Sequence, residues 1–482
     1  MADVERNVPL TINSILEAGS VSKQFTATAI LLLEQQGKLS LDDDVRKYIP
    51  ELPDYGDPIK LRQMLHHTSG LRDWGAIAEL TGWPRSSKFY TNEDALEIIA
   101  RQKHLNNKPG DEFLYSNSNY NLLAIIVQRV SGLTLAAFTR KYIFEPAGMV
   151  HTQWRDDPNR VVANRAIAYS KSGNSFKTDM PNEYVYGNGG LLTTTEDLLK
   201  WSNFYQQGKL GTSSLLSKQI QTEPLNNGVM NIYAAGLFIK QVMGWKNICH
   251  NGATASYRAY LETFPELNLS IAILSNTSQF NINAVAGMIR KIFVSDKTGK
   301  NRKNAAGVDL PADKLNILAG LYKNERDGST FELSVKNKRL VLDNDLPLTT
   351  ASENIFKADN FLFEIKDAKG LYIPFLPRDT IPFTKVYPAS LSPKDFAVFE
   401  GKYLSEEVNS TLTIEQKNGT LMIHLKPSED YPLIPTYTDA FKIPALDCDL
   451  QFIRGPQNKI FILKMNVPRA RNVEFKKTEP GS

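Results

Sequence analysis

The chain has 482 residues, enough for about three domains at roughly 150 residues each. Lys and Arg number 56 against 52 Asp and Glu, a net charge of +4 that gives no strong field for nucleic acid. Hydrophobic content of 42% with 22% charged residues excludes a disordered chain, and only two cysteines, Cys249 and Cys448, exclude a disulfide framework or a Cys-rich zinc site.

In chain order, the first seven residues are charged and hold no apolar core, so nothing there reads as a secretion signal. Residues 20–36 read as a helix buried nearly all round. Phe25, Ala29, Ile30, Leu32 and Leu33 recur at helical spacing, Ala27 and Leu31 fill the other faces, and Gly37 supplies the stop. The apolar run Ala29 to Leu33 is far shorter than the roughly 20 residues that span a bilayer. Helices follow at 95–103 and 119–131, with Tyr115 and Asn117 in the loop between them. Another runs over 194–205, with an acidic start at Thr195 and Asp197.

The pattern then changes. Residues 232–245, 247–255, 257–264 and 269–275 read as consecutive strands, with turns at Gly244-Trp245, Asn251-Gly252 and Pro265-Glu266. A closing helix covers 282–294. This order predicts a mixed α/β and all-α body. Residues 297–311 form a basic linker punctuated by Gly and Pro, and beyond it short strands and turn residues dominate.

That tail repeats itself. A shift of 81 residues overlays Gly320–Leu342 on Gly401–Ile423, matching Gly320/Gly401, Tyr322/Tyr403, Glu325/Glu406, Ser329/Ser410, Thr330/Thr411, Lys336/Lys417, Asn337/Asn418 and Leu340/Leu421. We read two copies of one β-unit, 312–395 and 396–482. Six to eight short strands in each make a small barrel or half of a larger one. The aromatics Phe361, Phe363, Tyr372 and Phe375 read as strand packing.

The chemistry begins at Ser20-Val21-Ser22-Lys23. A serine hydroxyl needs a base to become a nucleophile. Ser20 and Lys23 stand i, i+3 at the start of the buried helix, so the amine lies one turn from the hydroxyl. Burial favours the neutral amine, and the helix start offers positive partial charge to an oxyanion. In Tyr115-Ser116-Asn117, the phenol near Lys23 can carry a proton, and the amide offers a donor and an acceptor to a substrate. The same Y-x-N spacing recurs at Tyr186-Gly187-Asn188 and Tyr322-Lys323-Asn324, but only the first lies between helices of the mostly helical segment. For a third element, Lys297-Thr298-Gly299 lies in the linker with no strand after it, whereas His250-Asn251-Gly252 lies on a predicted strand whose edge can offer N–H groups. His250 is therefore preferred and Lys297 set aside. The pair His66-His67 reads as packing and capping rather than as a metal site.

These residues resemble the serine β-lactamase and penicillin-binding protein superfamily, in its class C-like branch with D-aminopeptidases, D,D-peptidases and family VIII esterases. Supporting stretches are Leu61–Leu71, Pro109–Tyr120, Phe144–Met149, Gly189–Asp197 and Phe264–Asn276, and the likeness covers about residues 1–295. It implies a β-lactamase/transpeptidase-like catalytic domain over 1–296, an antiparallel sheet flanked by helices with a helical subdomain, followed by all-β, lipocalin-like barrel units. It implies that Ser20 becomes the acyl-enzyme, Lys23 takes its proton, and Tyr115 serves the leaving group and the deacylating water. Asn117, His250 and Gly252 would bind substrate, and the backbone N–H groups of Ser20 and Ala253 would form the oxyanion hole. No metal or cofactor is implied, and the partner is a small-molecule or peptide substrate, not nucleic acid.

Two departures shape the expectation. Histidine replaces the third-box lysine and is mostly neutral at pH 7, so it does not attract a substrate carboxylate as lysine does. That moves the expected activity from β-lactamase towards a D-aminopeptidase, D,D-peptidase or esterase, with a class C-like β-lactamase or a catalytically weak binding protein as alternatives. The resemblance also implies a helix and a strand before the stretch Ala2–Thr11. This sequence holds neither, which is expected to expose a sheet edge and to leave the compartment open, in a family often periplasmic or secreted.

Overall fold

The computed structural model describes residues 1–212, 214–297, 308–343, 345–358, 361–366, 369–374, 380–425 and 429–478. The chain forms two compact units. One comprises Met1–Gly75, Arg85–Ala100 and Asn107–Gly299, the other Ala76–Pro84, Arg101–Asn106 and Lys300–Ser482. Two short segments of the first half thus belong to the second unit. One of them is tied there by Gln102, whose amide donates to the Glu407 carbonyl at 3.0 Å.

In the first unit the apolar run forms α1 (Lys23–Gln35), entered through a tight turn at Gly19–Ser22. Every residue from Lys23 to Leu33 is buried, so the helix is enclosed on all sides. A later helix, α2 (Asn117–Ser131), starts two residues earlier than the apolar spacing suggests. Ser116 is extended, and the Asn117 N–H, the first amide without a helical partner, donates to Asp73 Oδ2 at 2.7 Å. Asn117 therefore sits on the first turn of a helix and not in the loop. The next, α3 (Thr195–Gln206), is capped by Thr194, whose hydroxyl accepts from Asp197 N at 3.1 Å.

The strand run forms one antiparallel sheet, β1 (Phe238–Val242), β2 (Trp245–Thr254), β3 (Tyr257–Phe264) and β4 (Leu269–Ser275), in that order. It is followed by α4 (Ile282–Phe293), whose Ile282 and Ala286 pack with Cys249 and Tyr260. β1 covers only five of the residues 232–245 expected as strand, because residues 232–237 turn through Gly236 (φ +78°). Its pairing with β2 ends at Phe238–Cys249, while β3 pairs onward to Thr254. His250–Thr254 therefore pass beyond β1. The chain at Ala18–Ser20 lies against this stretch: a Cβ on Gly252 would stand 2.0 Å from the Ala18 carbonyl oxygen and 3.0 Å from Ser20 N. Only glycine permits that approach.

In the second unit each repeat forms its own sheet. The first is a nine-stranded antiparallel sheet from Gly320–Asn324 to Ile381–Val386, and the second a nine-stranded sheet from Gly401–Ser405 to Ala470–Lys477. The edge strands of each, Leu346–Pro347 with Thr349–Ser352 and Glu429–Pro432 with Ile434–Pro435, are consecutive in the chain. Two nearly closed barrel-like sheets result, with nine strands each instead of six to eight, since two-residue strands leave no alternation to read. The repeat holds down to single bonds. Tyr322 donates its hydroxyl to the Leu318 carbonyl at 2.7 Å, and Tyr403, 81 residues later, to that of Phe399 at 2.6 Å. Among the described residues no single helix is long and apolar enough to cross a membrane.

Candidate active site

The turn Gly19–Ser22 brings Ser20 to the only partly exposed position between Ser14 and Leu33. Gly19 makes this possible. Its φ is +49°, and a Cβ there would stand 2.7 Å from Ala253 N. One turn on, Lys23 is completely buried. Its Nζ lies 3.1 Å from Ser20 Oγ, 2.9 Å from Asn117 Oδ1 and 2.6 Å from the Asn188 carbonyl oxygen. The same Nζ stands 4.8 Å from the centre of the Tyr115 ring. A buried amine is tolerable only with such partners, and their geometry aims it at the one accessible hydroxyl.

The Asn117 carboxamide oxygen thus accepts from Lys23. Tyr115 is half-buried and packs on the His67 ring, centroids 4.1 Å apart. His67 Nδ1 receives the backbone N–H of Ser116 at 3.2 Å and lies 3.1 Å from Asn119 Nδ2. Both contacts are donors, so Nδ1 is unprotonated. His67 thereby holds the segment that carries Tyr115 and Asn117.

His250 is 1% exposed. Its Nδ1 is 2.6 Å from the Asn251 carbonyl oxygen, to which it can only donate, so Nε2 accepts the Tyr233 hydroxyl at 3.0 Å. Burial first, then the positive charge of Lys23, push its pKa down to about 3. Both ring nitrogens are engaged, and the ring carries no charge near neutrality. The two backbone segments meet closely here: Ser20 N would lie 3.0 Å from a Cβ on Gly252, and Ala253 N 2.7 Å from one on Gly19.

The structure therefore gathers Ser20, Lys23, Tyr115, Asn117, His250, Gly252 and Ala253 into one place. Lys297 is elsewhere: its Nζ lies 3.4 Å over the centre of the Trp245 ring, at the opposite end of β2. Thr298 and Gly299 lie outside the described residues. His66 faces two backbone carbonyls, Arg62 at 2.7 Å and Gln221 at 3.1 Å, and among the described residues no group of three or more His, Cys, Asp and Glu could hold a metal.

Three supporting residues escaped the sequence reading: Asp73, Asn188 and Tyr233; His67, read there as packing, packs on Tyr115. Asn188 belongs to the second Y-x-N triplet, which reads as an ordinary turn. Its contribution is a backbone carbonyl, which leaves no trace in residue type.

The Beta-lactamase family model matches residues 1–288. A penicillin-binding protein of Bacillus subtilis (strain 168) is 28% identical over 366 residues, 71% of this chain and 79% of that protein. A D-aminopeptidase of Gluconobacter oxydans (strain 621H) is 27% identical over 57% of this chain, which spans about half (52%) of that protein's length. Among solved structures, the octameric penicillin-binding protein homologue of Pyrococcus abyssi is 22% identical with a TM-score of 0.52, covering 99% of this chain and 91% of that one.

Proposed function

The chain belongs to the Beta-lactamase family, a family of serine hydrolases, and on that footing we propose that it hydrolyses an amide or ester through an acyl-enzyme on Ser20, with D-aminopeptidase-, D,D-peptidase- or esterase-like specificity. The observation that carries this reading is the buried Lys23 amine 3.1 Å from the accessible Ser20 hydroxyl. As free base, Lys23 accepts the hydroxyl proton while Ser20 Oγ bonds to the substrate carbonyl carbon. The carbonyl oxygen becomes an oxyanion between the N–H groups of Ser20 and Ala253, which are pre-aimed and cost no reorganisation. The tetrahedral species collapses as the bond to the leaving amine or alcohol breaks. Tyr115, beside Lys23, passes the proton to that leaving group and is itself reprotonated from Lys23. Water then attacks the acyl-enzyme by the same route in reverse, releasing the acid and restoring Ser20.

The choice of substrate follows from His250. A buried neutral ring with both nitrogens occupied supplies no cation for a substrate carboxylate. Substrates with a free carboxylate beside the scissile bond, penicillins and D,D-peptides included, gain little there, which favours the D-aminopeptidase- and esterase-like specificities within the proposed range. Uncharged amides and esters lose nothing.

Intact-mass spectrometry after separate incubation with a fluorophosphonate and a penicillin tests this. We expect one fluorophosphonate adduct, mapped to Ser20, and little or no penicilloyl adduct. A folded sample with no fluorophosphonate adduct would overturn the acyl-enzyme reading. A rapid, stable penicilloyl adduct would overturn the substrate preference.

A further inference from the structure

The two barrels share a topology but not a mouth. In the second, Leu412 and Ile423 are buried to 1% or less and close the core. The same positions 81 residues earlier are Phe331 and Leu342, both only partly buried. There the first barrel opens into a cavity of about 340 Å³. Its wall is aromatic. Phe331 and Phe363 stand 5.0 Å apart, Phe363 and Tyr372 5.3 Å, and Phe361 and Tyr372 5.2 Å between ring centroids.

Its polar end comes from the second barrel, whose strand Cys448–Arg454 buries Cys448, Leu450 and Phe452 and turns Asp449 outward. Asp447 and Asp449 both line the cavity, and among the described residues no basic side chain does; Lys442, opposite Asp449 on the neighbouring strand, lines the adjoining cavity. A larger adjoining cavity of about 600 Å³ shares Thr330, Phe331, Asp447 and Asp449 with it. Both volumes fall in the range of small-molecule sites.

The charge chooses the ligand. An anion would meet two carboxylates at this mouth, with Lys442, on the side of the adjoining cavity, the single cation against them among the described lining residues. A neutral apolar molecule would fill the aromatic wall but seal Asp449 away from water uncompensated. An organic cation satisfies both ends, with its positive nitrogen on the carboxylates and its apolar body against ring faces that attract cations. We propose that the mouth of the first barrel binds a small organic ammonium ion with an aromatic or aliphatic body, at a site separate from Ser20. The Asp449 carboxylate has no hydrogen-bond or ion-pair partner among the described residues. Burial, then the nearby charges of Asp327 and Asp447, push its pKa up to about 7 against the smaller opposing pull of Lys442, so an arriving cation would relieve it.

Isothermal titration calorimetry of the full chain with benzyltrimethylammonium, phenylacetate and benzyl alcohol tests this. One saturable site is expected for the ammonium, bound at least tenfold tighter than either other probe. Asp449→Asn, of nearly the same shape, should weaken it about tenfold with the melting midpoint unchanged or raised. Phe331→Leu, which copies the second barrel, should weaken it too. Protein labelled at Ser20 by fluorophosphonate should bind the ammonium as before, which separates this site from the catalytic one. Equal binding of all three probes, no binding of any, indifference to Asp449→Asn, or loss of binding on labelling Ser20 would each overturn the proposal.

Discussion

Lys23 and Tyr322 are both wholly buried polar side chains, yet they are satisfied in opposite ways. Tyr322 gives its hydroxyl to a carbonyl four residues back, and Tyr403 does the same in the second barrel. Lys23 is met by Ser20 one turn away, but also by Asn117 and Asn188, 94 and 165 residues along the chain. The barrel bond is local and repeats with the sequence. The catalytic bonds exist only when three distant segments have already converged. A buried polar group held locally serves the fold. One held by converging segments depends on the fold, and its neighbours are where chemistry concentrates.

The comparison breaks most sharply at Lys23. Lys23→Ala should lower turnover of p-nitrophenyl acetate by about a thousandfold or more, since it removes the base and strands the partners of the amine. Stopped assays beside a melting curve distinguish lost chemistry from lost fold. An enzyme that keeps more than a tenth of its rate would remove Lys23 from the mechanism. Gly252→Ala comes next. The new methyl would stand 2.0 Å from the Ala18 carbonyl oxygen and must push the Ser20 turn away, so we expect roughly a hundredfold loss of kcat/KM. Unchanged labelling of Ser20 by fluorophosphonate would contradict that.

His250 sharpens the comparison through pH. Its folded pKa is pushed down to about 3 from an ordinary 6.5. Above pH 6.5 both folded and unfolded chains hold it neutral. Below that, the unfolded chain takes up a proton that the folded chain refuses until about pH 3, so stability falls as pH falls through this window. The melting midpoint should drop by roughly 3 °C per pH unit on this account, and His250→Asn should flatten the slope. An equally steep slope in the variant would assign the acid sensitivity elsewhere.

The smallest effect lies in the barrels. Tyr322→Phe and Tyr403→Phe each lose one local hydrogen bond and should cost about 1 kcal/mol, seen in denaturant titrations, with esterase turnover unchanged. A loss of turnover in either would mean that the barrels do more for the site than local bonding predicts.

Much of this molecule was readable residue by residue. The all-buried α1, the four-strand run and the 81-residue repeat follow from apolar spacing and identity, because periods of 3.6 and 2 are local properties of the chain. The Ser20–Lys23 pair was readable for the same reason, since i, i+3 on one helix turn needs no tertiary contact. The choice between His250 and Lys297 also rested on a local cue, the strand on which His250 stands. The limits appear where a partner is distant. Asn117 moved from loop to helix because the Asp73 carboxylate, 44 residues away, satisfies its amide. Asn188 supplies a backbone carbonyl that no side chain announces, and His67 and Tyr233 act as props whose targets are set by packing.

The sequence by itself determined α1, the four-strand run, the repeat and the pairing of Ser20 with Lys23, since each depends on residues within a few positions or on outright identity. The tertiary structure alone decided that each repeat curls into its own nearly closed sheet, that β2 runs past β1 to meet the Ser20 turn, and that His250 is neutral with both nitrogens occupied. The physical reason is common to all three. Closure, strand overhang and desolvation are set by which distant surfaces meet, and local spacing carries no record of that.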